Sequence, residues 1–186
     1  MPRSLSLAVL VVCASALVAA QGRVTPHGKA IVEYKSPDAL AVVNYEYSQR
    51  THGGPWLLVE FALGTRHRVA IARDQFSLVL PDERRLPLAS HQQYIDESAV
   101  VTTLYQNAAI WRRPLSSYFS SPLSHAIGFF PGRIGSLVHD TFATNVDEIA
   151  AGDLLFRSPD GKWAPGTYRL VLNHEKLKAE LPLELK

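Results

Sequence analysis

From residue 21 onward, apolar side chains recur mainly with a period of two. In Leu40–Ser48, Ala41, Val43, Tyr45 and Tyr47 fall on one side and Asn44, Glu46 and Ser48 on the other, which predicts a half-buried strand. Trp56–Leu63 is almost continuously apolar and predicts a central strand covered on both faces, so its lone charge, Glu60, requires a partner or a route to water. Gln75–Leu80 and Leu86–Leu88 flank the polar run Pro81-Asp82-Glu83-Arg84-Arg85 and predict a hairpin with Phe76, Leu78 and Leu80 on a common face. Leu154–Arg157 and Tyr168–Leu172 flank Ser158-Pro159-Asp160-Gly161, whose glycine supplies the positive φ of a tight turn, and Pro165-Gly166 supplies a second turn. Near the C-terminus Ala179, Leu181, Leu183 and Leu185 alternate with polar residues and Pro182. Because proline cannot donate to a ladder, this strand is expected at a sheet edge.

Residues 96–113 break the alternation. Val100, Val101, Leu104, Tyr105, Ala108 and Trp111 are spaced three and four apart, Asp96 and Glu97 stand at the front, and Arg112-Arg113 stand at the back before Pro114. Acids at the start and bases at the end complement a helix dipole, and the proline ends the helix, so the segment is expected to be one amphipathic helix lying on the sheets. A strand through Val100-Val101-Thr102-Thr103-Leu104 is the alternative, since β-branched residues favour extended backbone. Ser116–Ser124 and Pro131-Gly132-Arg133-Ile134-Gly135 are expected to be loops, and no repeat of the length used by solenoids or propellers occurs. The whole pattern implies an all-β class, an immunoglobulin-like antiparallel β-sandwich with one inserted helix at 96–113. The Cys, Trp, Cys signature of immunoglobulin domains is absent, so no family is assigned.

The first twenty residues change the picture of where the chain works. Arg3, an apolar run from Leu5 to Leu17, and Val18-Ala19-Ala20 have the form of a secretory signal peptide cleaved after Ala20. The run is shorter than the roughly 20 residues of a membrane-spanning helix. The expected organisation is a leader over 1–20 and one domain over 21–186, secreted or periplasmic, with no integral membrane segment after cleavage. The only cysteine, Cys13, and the only methionine, Met1, both lie in that leader. The expected mature domain therefore has no disulfide and must be held by apolar burial. Val12 before Cys13 and the truncated apolar run speak against lipid attachment at this cysteine. None of Asn44, Asn107, Asn145 or Asn173 begins an Asn-x-Ser/Thr triplet.

Charge removes one class of partner. The chain carries 19 basic and 17 acidic residues, and clusters such as Arg66-His67-Arg68, Arg84-Arg85 and Arg112-Arg113 are short and lack interleaved aromatics. Nucleic acid is not an expected partner. Seven histidines show no metal-ligand spacing, so neither a metal nor a cofactor is expected. Ser136, His139 and Asp140 supply the letters of a catalytic triad but lie too close in sequence, with no Gly-x-Ser-x-Gly elbow. The acid pairs Asp82-Glu83, Asp96-Glu97 and Asp147-Glu148 are adjacent on expected turns and helix ends, where they cannot face one another across a substrate.

Aromatic residues are the remaining candidates for contact. Tyr45, Tyr47 and Trp56 flank the His52-Gly53-Gly54-Pro55 turn and are candidate binding residues, with core filling as the competing role. Phe129 and Phe130 are adjacent, so on a strand one joins the core while the other packs under the helix or stands in solvent as an anchor for a partner. The sequence thus implies a non-catalytic protein acting by contact with an unknown protein partner. A carbohydrate-binding envelope module with a glycan partner is the alternative, followed by a small secreted hydrolase.

Overall fold

The computed structural model describes residues 22–131 and 137–186. The leader with Cys13, and Ser136 of the triad letters, lie outside the described residues. Strands β1 (Arg23–His27), β2 (Ile31–Lys35), β3 (Ala39–Asn44) and β4 (Trp56–Thr65) form an antiparallel meander. β10 (Ile149–Arg157) pairs antiparallel with the far side of β4, and β8 (Leu123–Ile127) pairs in parallel with β10, which completes a six-stranded sheet. A second sheet holds β12 (Leu177–Leu185), β11 (Gly166–His174), β6 (Phe76–Val79) and β7 (Arg85–Pro87), in that order. β5 (Val69–Ala72) and β9 (Thr141–Thr144) form a separate ribbon.

The expected hairpin is β6–β7, and the proline-bearing last strand, β12, lies at a sheet edge as Pro182 requires. β4 is buried along its whole length. Its Leu57, Val59, Phe61 and Leu63 share one core with Leu170, Leu172, Leu181 and Leu183 of the second sheet. Phe76 meets Phe61 edge-on at 5.2 Å and Phe129 at 5.8 Å, and Phe142 lies 5.6 Å from Phe129. The Tyr34 hydroxyl donates to the Lys178 carbonyl at 2.8 Å, tying β2 to β12 across the core.

Two expectations change. The strand over 40–48 stops at Asn44, whose Oδ1 accepts the Glu46 backbone N–H at 3.1 Å and turns the chain into a short helix, α1 (Glu46–Arg50). The turn expected at Ser158–Gly161 is present, with Gly161 at φ 76°, and because β10 and β11 lie in different sheets it carries the chain across the end of the core. In place of one helix over 96–113 there are α2 (His91–Asp96) and α3 (Ser98–Ala108), broken at Glu97 and followed by a 3₁₀ turn over Ala109–Trp111. Ser90 caps α2: its hydroxyl accepts the Gln93 N–H while the Gln93 side chain accepts the Ser90 N–H.

α3 covers the outer face of the six-stranded sheet. Val101, Leu104 and Ala108 are buried in the same cluster as Trp56 and Leu58 of β4. Eleven residues of helix span roughly 16 Å, close to the roughly 13 Å of strand from Trp56 to Glu60. Among the described residues no helix is long and apolar enough to cross a membrane.

Candidate functional site

Every second residue of β4 points outward, and cross-strand register places Asn44 of β3, Glu60 of β4 and Asp153 of β10 side by side on the outer face. All three interrupt otherwise apolar strands. Asn44 Nδ2 donates to Glu60 Oε2 at 2.7 Å and to the Trp111 carbonyl at 3.3 Å. Arg112, delivered by the 3₁₀ turn after α3, closes the row. Its Nη1 is 3.2 Å from Glu60 Oε1, and its two Nη groups grip Asp153 at 3.2 and 2.8 Å. Burial pushes the Glu60 carboxyl above the usual carboxylate range, against the pull of Asn44 and Arg112. At Arg112 burial also opposes the charge, but the Asp153 and Glu60 carboxylates outweigh it and raise the guanidinium pKa.

Arg112 and Asp153 of this row form the inner end of a cleft of about 1200 Å³. The next row outward is alanine: Ala151 of β10 and Ala126 of β8, in register, form a low floor, while Ala62 of β4 beside Ala151 is buried with Val42 and Leu115. Gly152 permits the approach of β8, because a Cβ there would lie 2.6 Å from the Ile127 carbonyl oxygen. One wall is the flank of α2 and α3, with Tyr94, Ile95, Ser98, Thr102, Tyr105 and Gln106, and the other is Ile127, Gly128, Phe130 and Pro131 together with Leu137 and Val138. Ile95 and Leu137 stand 59% and 81% exposed at the mouth. Desolvation holds the Tyr105 phenol far above its ordinary pKa, so it remains protonated.

Phe129 and Phe130 are both buried, because β8 ends at Ile127 and the bend that follows abolishes strand alternation. Phe129 joins the core phenylalanines. Phe130 stacks on Tyr94 at 5.7 Å, receives the Arg73 guanidinium 4.5 Å from its ring centre, and borders the cleft. Arg73 Nη1 donates to the Phe129 carbonyl at 2.7 Å, and its Nη2 donates to the Ala89 carbonyl. Tyr45 is buried, its hydroxyl accepting the Glu184 N–H at 3.1 Å. Trp56 is buried too, and its indole N–H donates to Glu97 at 2.8 Å. With half-buried Tyr47, Trp56 borders a smaller groove of about 290 Å³ on the other flank of α3.

The remaining candidates stay apart. Among the described residues no three histidine, cysteine or acidic side chains gather as metal ligands. His27 pairs with Glu33 and His125 with Glu148, while His139 and Asp140 are exposed. The adjacent acids are absorbed singly: Asp82 by Arg84, Glu83 by Arg169, and Glu97 by Trp56 and Arg157. Sequence inspection flagged Glu60 but missed Asp153, Asn44 and Arg112 as its partners. The available signal was a second lone acid, Asp153, in the apolar run Ile149–Phe156. No family model, curated protein or solved structure matches the chain.

Proposed function

We propose that this chain is a non-catalytic, extracytoplasmic binding protein and that the cleft beneath α2 and α3 is where it binds. The observation that carries this is the low alanine floor, which leaves a large, mainly apolar volume between a rigid sheet and its helical cover, as ligand sites require. Glu60 and Asp153 share the Arg112 guanidinium, and we read this group as positioning the cover rather than performing chemistry. We read the architecture as a β-sandwich with a helical outer layer, and the consecutive β1–β4 meander speaks for an order other than the immunoglobulin-like one. The extracytoplasmic assignment rests on residues 1–20. Intact mass of protein recovered from the producing cell should correspond to a chain starting near Gln21, and retention of Met1 would refute it.

Nile red, an uncharged apolar dye, should bind saturably to the protein. Ala126→Trp, at an exposed floor position, should abolish uptake without lowering the melting temperature. Absent uptake, or equal uptake by both proteins, would sink the proposal. Protein contact remains the second reading, favoured by Ile95 and Leu137 at the mouth and by exposed residues along edge strand β8. The carbohydrate reading has less support, since Tyr45 and Trp56 are buried and only the groove bordered by Tyr47 and Trp56 is left to it.

A further inference from the structure

We infer that the cleft selects apolar ligands bearing an ammonium head and discriminates against carboxylate heads, an inference that rests on the cleft being the binding site. The first argument is a charge count. Among the described residues lining the cleft the charged ones are Arg112 and Asp153. Behind them Glu60 shares the same guanidinium, so two carboxylates draw on one cation. An incoming carboxylate would find Arg112 already engaged on both Nη groups and would face two like charges. Asp153 is in the opposite position. A carboxylate offers about four lone-pair sites, and Arg112 occupies two of those on Asp153, so the side chain can accept further bonds from an ammonium, which carries three donors and no acceptor.

The walls give a second, independent argument. Tyr94 and Tyr105 line the same cleft, and the negative faces of aromatic rings attract cations, most strongly where water is excluded, whereas the Phe130 ring is already taken up by Arg73 and Tyr94. Arg112 itself already lies 5.9 Å from the centre of the Tyr105 ring. A ligand ammonium beside Asp153 would thus meet a carboxylate and an aromatic wall together. Its apolar body would lie along the alanine floor toward Ile95 and Leu137.

Three probes of equal chain length test this below their aggregation concentrations: dodecylammonium, dodecanol and dodecanoate, each displacing Nile red from the protein as recovered from its producing cell. Dodecylammonium should bind about tenfold more tightly than dodecanoate, with dodecanol between them. Asp153→Asn should remove the advantage of dodecylammonium over dodecanol. Thr102→Lys, at an exposed cleft-wall position on α3, should reverse the order in favour of dodecanoate even if the Asp153→Asn protein is poorly folded. Equal affinities, or tighter binding of dodecanoate to the unmodified protein, would overturn the inference while leaving the cleft as a binding site. Failure of all three probes and of Nile red would remove the cleft itself.

Discussion

On its inner face β4 presents Leu57, Val59, Phe61 and Leu63, and on its outer face Trp56, Leu58, Glu60 and Ala62. The inner face meets another sheet through bulk apolar contact, in which many atoms each contribute little and no single partner is required. The outer face meets helices, and the cover is fixed at two polar points. Glu97 accepts from Trp56 Nε1 and from Arg157 Nε, both at 2.8 Å, at one end of α3. Arg112 holds Glu60 and Asp153 at the other. Apolar burial gives the inner contact strength, whereas directional polar bonds give the outer contact a defined placement, and the cleft opens along the flank of the cover so placed.

The largest effect should come from the inner face. Phe61→Ala should cost about 3 to 5 kcal/mol in denaturant unfolding, because the void opens between two sheets that cannot both collapse into it. A loss under about 1 kcal/mol would place Phe61 outside the shared core. Arg112→Ala tests the outer face. It leaves the buried Glu60 carboxylate with Asn44 and the long Arg113 N–H contact but no cation, at a cost of about 1 to 3 kcal/mol, and it should loosen the cover enough to raise hydrogen exchange in α3 while β6 and β11 keep their protection. Uniform deprotection would show that the two faces fail together. Glu97→Gln should cost less, about 1 kcal/mol or under, because that carboxylate is 29% exposed and an amide can still accept the indole N–H.

The smallest effect is a pH signature. Burial raises the Glu60 pKa, so the folded protein takes up that proton before the unfolded chain does. The unfavourable contribution of its charge is present at neutral pH and is relieved as pH falls through the raised value toward the ordinary 4.5. Glu46, whose carboxyl Arg113 and Arg50 hold below the usual range, acts oppositely, and its contribution is lost as pH falls from 4.5 through its lowered value. The stability of the unmodified protein minus that of Glu60→Gln should therefore rise on mild acidification. A flat difference across thermal melts in that range would mean that Glu60 is solvated.

What was legible in the sequence is mostly the inner face. The continuous apolar run of β4 reports a strand covered on both faces, alternation in β6 and β12 reports which side chains share a core, and Pro182 reports an edge, because all follow from local backbone geometry. The outer face was harder to read. Asp96, Glu97, Arg112 and Arg113 looked like compensation for a helix dipole. In the fold Glu97 and Arg112 instead reach across to the sheet, and Arg113 reaches Glu46 of α1 at 2.9 Å. Charge position along a helix does not reveal which distant strand will supply the counterion. Phe129 in the core and Phe130 against Tyr94 of α2 match the packed alternative of the sequence reading, but not by strand alternation, since the strand ends at Ile127.

The seam between β4 and β10 has a kinetic consequence. β1 to β4 can assemble from neighbours in sequence, but Leu58 finds its partner Leu155 only after closure of a loop of about a hundred residues. Until then the most apolar strand of the protein is a sheet edge, and its outer face holds a carboxylate with no guanidinium beside it. The meander should therefore form early, the seam late, and the cleft last of all. The interval between them is when the chain is most prone to pair with another copy of itself.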